Sequence, residues 1–250
     1  MLDPVPPRSA RTNLPPLLDD VVLEATGRTH GDDPSRPVTG GPAGNARLTA
    51  WTGLVLLALF LAELVTLLDV RGLISWHIVV GTLLIPPALL KTASTGWRIA
   101  CYYRREPHYH QAGPPPMLLR IIGPGVVLST LGLLGSGVLL VLLGPASSRS
   151  VIVTALGQRV DWITVHQGLF IGWAVLTGLH VLARVVPAVR MATGGKRRVP
   201  GGARRMGALL VALVAAVVLA AVVLAASGSW RSDPGHRDRP TGGFRQSAPR

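Results

Sequence analysis

The chain has 250 residues, 48% hydrophobic and only 15% charged, with a formal charge of +13 carried almost wholly by arginine. A soluble domain of this length interrupts its apolar runs with polar faces; here the apolar residues collect in long blocks, which excludes an ordinary soluble fold. The single cysteine, Cys101, excludes an intramolecular disulfide and any cysteine-based metal cluster.

Residues 1–48 are rich in Pro, Asp, Arg and Gly without a sustained period, which predicts a disordered arm. They lack the early apolar core of a secretory signal, so the first span serves as the membrane-entry signal. Five apolar blocks follow, at 51–70, 73–90, 121–143, 163–185 and 206–226. Each is close to or above the roughly 18–20 residues that cross a hydrocarbon core. Lipid offers no partner to backbone N–H and C=O groups, so each block must be a helix. The expected architecture is all-α: an integral membrane helical bundle with a four-helix core over 49–190 and one peripheral helix. A basic loop (191–205), the fifth helix (206–228) and a disordered tail (229–250) complete the chain. The fifth block has no polar residue from Ala208 to Ala226, so it suits a lipid-facing position outside the core.

The first two blocks are joined by the tight sequence Asp69-Val70-Arg71-Gly72, which predicts an antiparallel hairpin. Pro86-Pro87 in the second block predicts a kink rather than a break, since neighbours in a membrane bundle re-satisfy the freed carbonyls. Basic residues crowd the connections at 91–120 and 184–205; the one after the third span has only Arg149, Arg159 and Asp161. The positive-inside rule then puts the two basic connections and the amino terminus in the cytoplasm and the carboxyl terminus outside. Positive charge placed this way follows topology, and it gives no support to a nucleic-acid partner.

Three histidines lie in spans: His77, His166 and His180. An imidazole in lipid must face the bundle interior and find a partner. His77 and His166 each come shortly after the start of a span, and the second and fourth spans run in the same direction. The two rings therefore sit at nearly equal depth near the outer face, where they can ligate one haem iron from opposite sides. His180 follows His166 by 14 residues, about 21 Å of rise and about 40° short of four turns, so both project from one helix face. The matching position on the second span, 14 residues after His77, holds Lys91. A lysine there snorkels to headgroups or pairs with a haem propionate. Glu63 is the one acid inside the first span; it is placed to relay protons or to bond a histidine ring nitrogen. Gly81, Gly132, Gly135, Gly137, Gly168 and Gly172 leave room for a flat ring or for close helix packing.

With His77, His166 and His180 on the second and fourth helices, the chain resembles bacterial cytochrome b-type membrane subunits, the four-helix b-haem core of ferric reductases and respiratory b-type subunits. The stretch Leu90-Lys91-Thr92-Ala93-Ser94-Thr95-Gly96-Trp97-Arg98, with Tyr102-Tyr103 and Gly113-Pro114-Pro115-Pro116, is similar to actinobacterial members of that superfamily. The likeness covers roughly residues 50–190. It implies haem b held by His77 and His166, with a possible second haem at His180 facing Lys91 where the family has histidine. It also implies a plasma-membrane electron-transfer subunit, a quinone as possible partner and an outer-side redox partner such as a molybdopterin oxidoreductase. No acid–base pair, nucleophile or phosphate loop points to an independent active site. The alternative reading is a haem-free membrane transporter or structural subunit whose histidines make interhelical bonds.

Overall fold

Apolar sequence becomes helix wherever the backbone can be satisfied from within, and here the helices outrun the apolar blocks. The computed structural model describes Val22 and residues 41–111, 117–155, 157–193 and 201–232; most of the expected disordered arm and tail lies outside the described residues. We label the elements α1 (Pro42–Thr66), followed by a short 3-10 turn at Leu67–Asp69, α2 (Ile74–Leu83), α3 (Ile85–Tyr103), α4 (Pro107–Gln111), α5 (Met117–Ser148), β1 (Val153–Ala155), β2 (Gln158–Val160), α6 (Trp162–Thr193), α7 (Gly202–Ala226) and α8 (Gly228–Arg231). Five stretches are long and apolar enough to cross a membrane: Pro42–Asp69, Ile74–Tyr103, Arg120–Ser148, Trp162–Thr193 and Gly202–Ala226. At 25 to 32 residues each, they reach about 37–48 Å, longer than a hydrocarbon core of about 30 Å. The chain is a multi-pass, all-helical membrane bundle.

Two boundaries differ from expectation. The first helix starts at Pro42 rather than near residue 49, with proline in the first turn, where its missing N–H costs nothing. The second span does not end at residue 90. It continues through Lys91 and Ser94 to Tyr103, because polar side chains at the end of a span find partners on the neighbouring helix. Asn45 Nδ2 donates to the Ser94 carbonyl at 2.8 Å, Ser94 Oγ bonds Asn45 Oδ1, and Thr49 Oγ1 lies 2.9 Å from Ser94 Oγ. The helix assignment breaks at Leu84, two residues before the proline pair, although its φ −69° and ψ −27° stay helical and the Leu84 N–H still bonds the Val80 carbonyl at 3.2 Å. The turn between the first two spans is closed by the Gly72 N–H donating to Asp69 Oδ1 at 2.9 Å.

Helix α1 packs on α3 and α6, α5 packs most extensively on α6, and the second span meets α5 more lightly. The second and fourth spans thus occupy opposite corners of a four-helix arrangement, facing each other across its interior. Helix α7 lies outside these four, against α2 and α3. Its inner face is Leu209, Ala212, Ala216 and Ala220, all buried, while Val211, Val214, Val217, Val218 and Val222 are exposed. Small residues on one face allow close backbone approach, which is how a helix associates where lipid supplies no hydrophobic drive.

Midway along the bundle is an apolar belt. Leu56, Leu84 and Ala88 are buried together, with Leu59, Phe60 and Leu134 packed on them. Trp173, 6% exposed, packs on Phe60 with ring centres 4.7 Å apart and planes tilted at 56°, and donates from Nε1 to Thr130 Oγ1 at 3.1 Å.

At the end of α5 the helix bends at Gly144, whose φ of +73° suits glycine. The Leu140 carbonyl beside the bend accepts from Trp230 Nε1 at 2.9 Å and from Ser148 Oγ at 3.4 Å. The two short strands pair antiparallel and lead into α6, which is capped by Asp161: its Oδ1 accepts from the Thr164 N–H at 2.8 Å and the Thr164 hydroxyl at 2.7 Å. Those bonds, the backbone one first, hold the Asp161 carboxyl below its ordinary 3.8. A carboxyl lowered in the folded state contributes stability above its unfolded pKa and loses it as pH falls through the folded pKa. Asp161→Ala is expected to cost about 1 kcal/mol at neutral pH. In detergent unfolding titrations that difference should shrink towards zero as the medium is acidified below the wild-type carboxyl's pKa.

Candidate functional site

The site is built where α1, α2, α5 and α6 converge near one end of the bundle. The His77 and His166 rings face each other with centroids 6.4 Å apart and planes at 88°. The equal depth expected from the sequence is therefore realised as a direct juxtaposition across the bundle interior. The second and fourth spans come together here through side chains rather than backbones.

Hydrogen-bond donors and acceptors then fix the state of each ring. Glu63 Oε1 lies 2.8 Å from His77 Nδ1, and Thr66 Oγ1 lies 3.0 Å from the same nitrogen. The Thr66 hydroxyl proton is donated to the Glu63 carbonyl at 2.6 Å, so towards His77 its oxygen can only accept. His77 Nδ1 must therefore carry the hydrogen. The same logic holds across the bundle. Ser136 Oγ donates to the Leu133 carbonyl at 2.9 Å and lies 2.8 Å from His166 Nδ1; with its proton on that carbonyl, the hydroxyl accepts from an Nδ1–H of His166. The contacts to Glu63, Thr66 and Ser136 all run through Nδ1, which leaves Nε2 of each ring for another group. An imidazole oriented through Nδ1–H to a carboxylate or hydroxyl is the usual arrangement of a metal-ligating histidine.

The separation can be compared with ligation. A metal–imidazole bond of about 2.0–2.1 Å plus about 1.1 Å from nitrogen to ring centre puts two rings on one metal about 6.2–6.4 Å apart. The observed ring-centre separation of 6.4 Å is of the same size. Among the described residues no group of three or more His, Cys, Asp or Glu side chains is arranged to hold a metal ion. Two imidazoles alone do not complete the shell of a bare zinc, which wants four ligands. They do complete the shell of a metal that brings its own equatorial nitrogens, as haem iron does. The donor set of His77 and His166 fits haem.

The glycines divide. Gly81, Gly132 and Gly137 face packed neighbours, and a Cβ on Gly137 would come within 3.3 Å of His166 Cε1. Gly135, Gly168 and Gly172 are exposed, and a Cβ on any of them would meet nothing within 4 Å. Gly168 and Gly172 follow His166 in sequence but lie on an exposed side of α6, with no helix packed on them.

His180 and Lys91 are also brought near each other, within range of charge interaction and with Arg184 beside them. Their surroundings differ from the first pair. Among the described residues His180 Nδ1 is buried without a hydrogen-bond partner, as is Thr177 Oγ1 one turn before it. Lys91 does not end its span. Its Nζ lies beside Gly53, where a Cβ would be 2.7 Å away, and donates to the Thr49 carbonyl at 3.4 Å. The ammonium is thus turned towards α1. Of the loop histidines, His110 stacks on Tyr102 at 5.4 Å, away from the bundle interior. Nearby, burial holds the Tyr109 phenol above its ordinary pKa. A cavity of about 400 Å³ at the Gly144 bend has no titratable side chain in its lining.

Sequence reasoning pointed to His77, His166 and Glu63 but missed Thr66 and Ser136. Neither carries a motif; only their placement three residues after a carbonyl and beside a ring gives them a role. Comparison with models of protein families, with characterised proteins and with solved structures finds no match to this chain.

Proposed function

We propose that the chain is a b-type cytochrome subunit, carrying electrons within or across the bacterial plasma membrane through one haem held by His77 and His166. The observation that carries this reading is the facing pair of Nδ1–H imidazoles at a 6.4 Å separation. When bound, haem b supplies a one-electron couple whose potential is tuned by its ligands and surroundings. The chain's own residues do the rest. Glu63, Thr66 and Ser136 orient the rings. The belt of Leu56, Phe60, Leu84, Leu134 and Trp173 keeps the site apart from the Lys91 end of the bundle. In this reading the His77 end faces outwards, towards a redox partner such as a molybdopterin oxidoreductase, and a quinone exchanges electrons from the bilayer.

Absorption spectra of detergent-purified protein, oxidised and dithionite-reduced, test the proposal directly. A sharp reduced b-type band with one pyridine haemochrome per chain is the expected result. Two per chain would extend the reading to a second haem at His180 and Lys91. A colourless protein from haem-supplemented cells would overturn it. That outcome favours the other reading, a haem-free transporter or structural subunit, for which the same ring separation is a plain edge-to-face contact.

A further inference from the structure

The two imidazoles have unequal supports. His166 Nδ1 lies 2.8 Å from a neutral hydroxyl, Ser136 Oγ. His77 Nδ1 faces a carboxylate oxygen, Glu63 Oε1, at 2.8 Å, with Thr66 Oγ1 as a second acceptor at 3.0 Å. Glu63 and His77 are only 17% and 21% exposed. The other carboxylate oxygen, Glu63 Oε2, is buried with no hydrogen-bond partner among the described residues. Polar groups in such a place are costly unless they serve a partner. A structural interhelical bond would be served equally well by glutamine, whose amide oxygen accepts the same Nδ1–H. What glutamine cannot supply is charge.

We propose that Glu63 is a positioning residue that makes His77 and His166 unequal donors and would set the potential of a bound haem low. This rests on the haem reading above. An acceptor behind Nδ1–H draws the proton towards itself and leaves the ring a stronger donor through Nε2. A carboxylate does this more strongly than a hydroxyl, because hydrogen bonds to ionised acceptors are about twice as strong as neutral ones. Stronger donation and nearby negative charge both favour the oxidised iron, which carries one more positive charge than the reduced. Ser136 gives His166 orientation without that electrostatic contribution. The inequality therefore comes from α1, the one helix of the four that brings an acid to the site.

Redox titration of the Soret band separates this from a structural role. Glu63→Gln keeps the acceptor and removes the charge. It is expected to retain haem while shifting the oxidised-to-reduced ratio at a fixed potential at least tenfold towards reduced, which for a one-electron couple is about 59 mV upward. Glu63→Asp is expected to return part of that shift, and Ser136→Ala to move the potential less than Glu63→Gln does. Glu63→Leu, which removes the acceptor as well, is expected to lower haem content by about 10-fold or more. Nitrogen-15 NMR of His77 in haem-free protein gives a second readout: one Nδ1–H tautomer in the wild type, and a mixture in Glu63→Leu. A coloured wild type whose potential is unmoved in Glu63→Gln overturns this inference and leaves the haem reading standing. A colourless wild type overturns that reading and the potential-setting role together, while the NMR measurement still decides whether Glu63 fixes the ring.

Discussion

His77→Ala and His166→Ala are each expected to abolish the reduced b-type band, with haem content falling at least about tenfold, while His180→Ala leaves the band in place. The difference follows from what stands behind each ring. His77 and His166 are hydrogen-bonded through Nδ1 to Glu63, Thr66 and Ser136, and their rings face one another with centres 6.4 Å apart. His180 Nδ1 has no acceptor among the described residues, and the group opposite is the Lys91 ammonium, turned to the Thr49 carbonyl. Haem content and reduced spectra of the three variants, purified side by side, check the expectation. Loss of half the haem in His180→Ala would reveal a second site. Retention of full colour in both His77→Ala and His166→Ala would remove these two residues from the ligand set.

Trp173→Ala is expected to give the largest loss of stability of any single change away from the histidines, about 3–5 kcal/mol. Trp173 is 6% exposed, packs at a tilt on Phe60 with ring centres 4.7 Å apart, and lies 6.0 Å from Phe170. It also spans from α6 to α5 by donating to Thr130. Truncation leaves a cavity between helices that lipid tails do not fill, and it leaves the Thr130 hydroxyl without its donor. Trp173→Phe keeps most of the ring and loses only the hydrogen bond, which within a membrane bundle is worth about 0.6 kcal/mol on average. Unfolding of the two variants in mixed micelles measures the gap. Equal, small losses would show that the belt is not a packed layer.

The same residues show how far sequence could go. The second span was legible as a membrane helix that carries Pro86 and Pro87 without ending at them. Its true end at Tyr103 was not, because a run containing Lys91, Ser94 and Arg98 looks like a loop until Asn45 and Thr49 of α1 are seen to receive it. Likewise the spacing around His166 was legible, yet Gly168 and Gly172 turned out to face outward. Periodicity gives relative angles on one helix, and only a neighbouring helix decides which angle is inside.

The sequence by itself determined the five membrane-crossing helices, since in lipid every apolar block of that length must satisfy its own backbone. It also determined the equal depth of His77 and His166, since a fixed rise per residue converts position in a span into depth. Only the tertiary structure decided that the two rings face each other across opposite corners of the bundle, with Glu63 behind one and Ser136 behind the other. Rotation of one helix against the next is set by side-chain packing over the whole contact, which no local pattern in a single span contains.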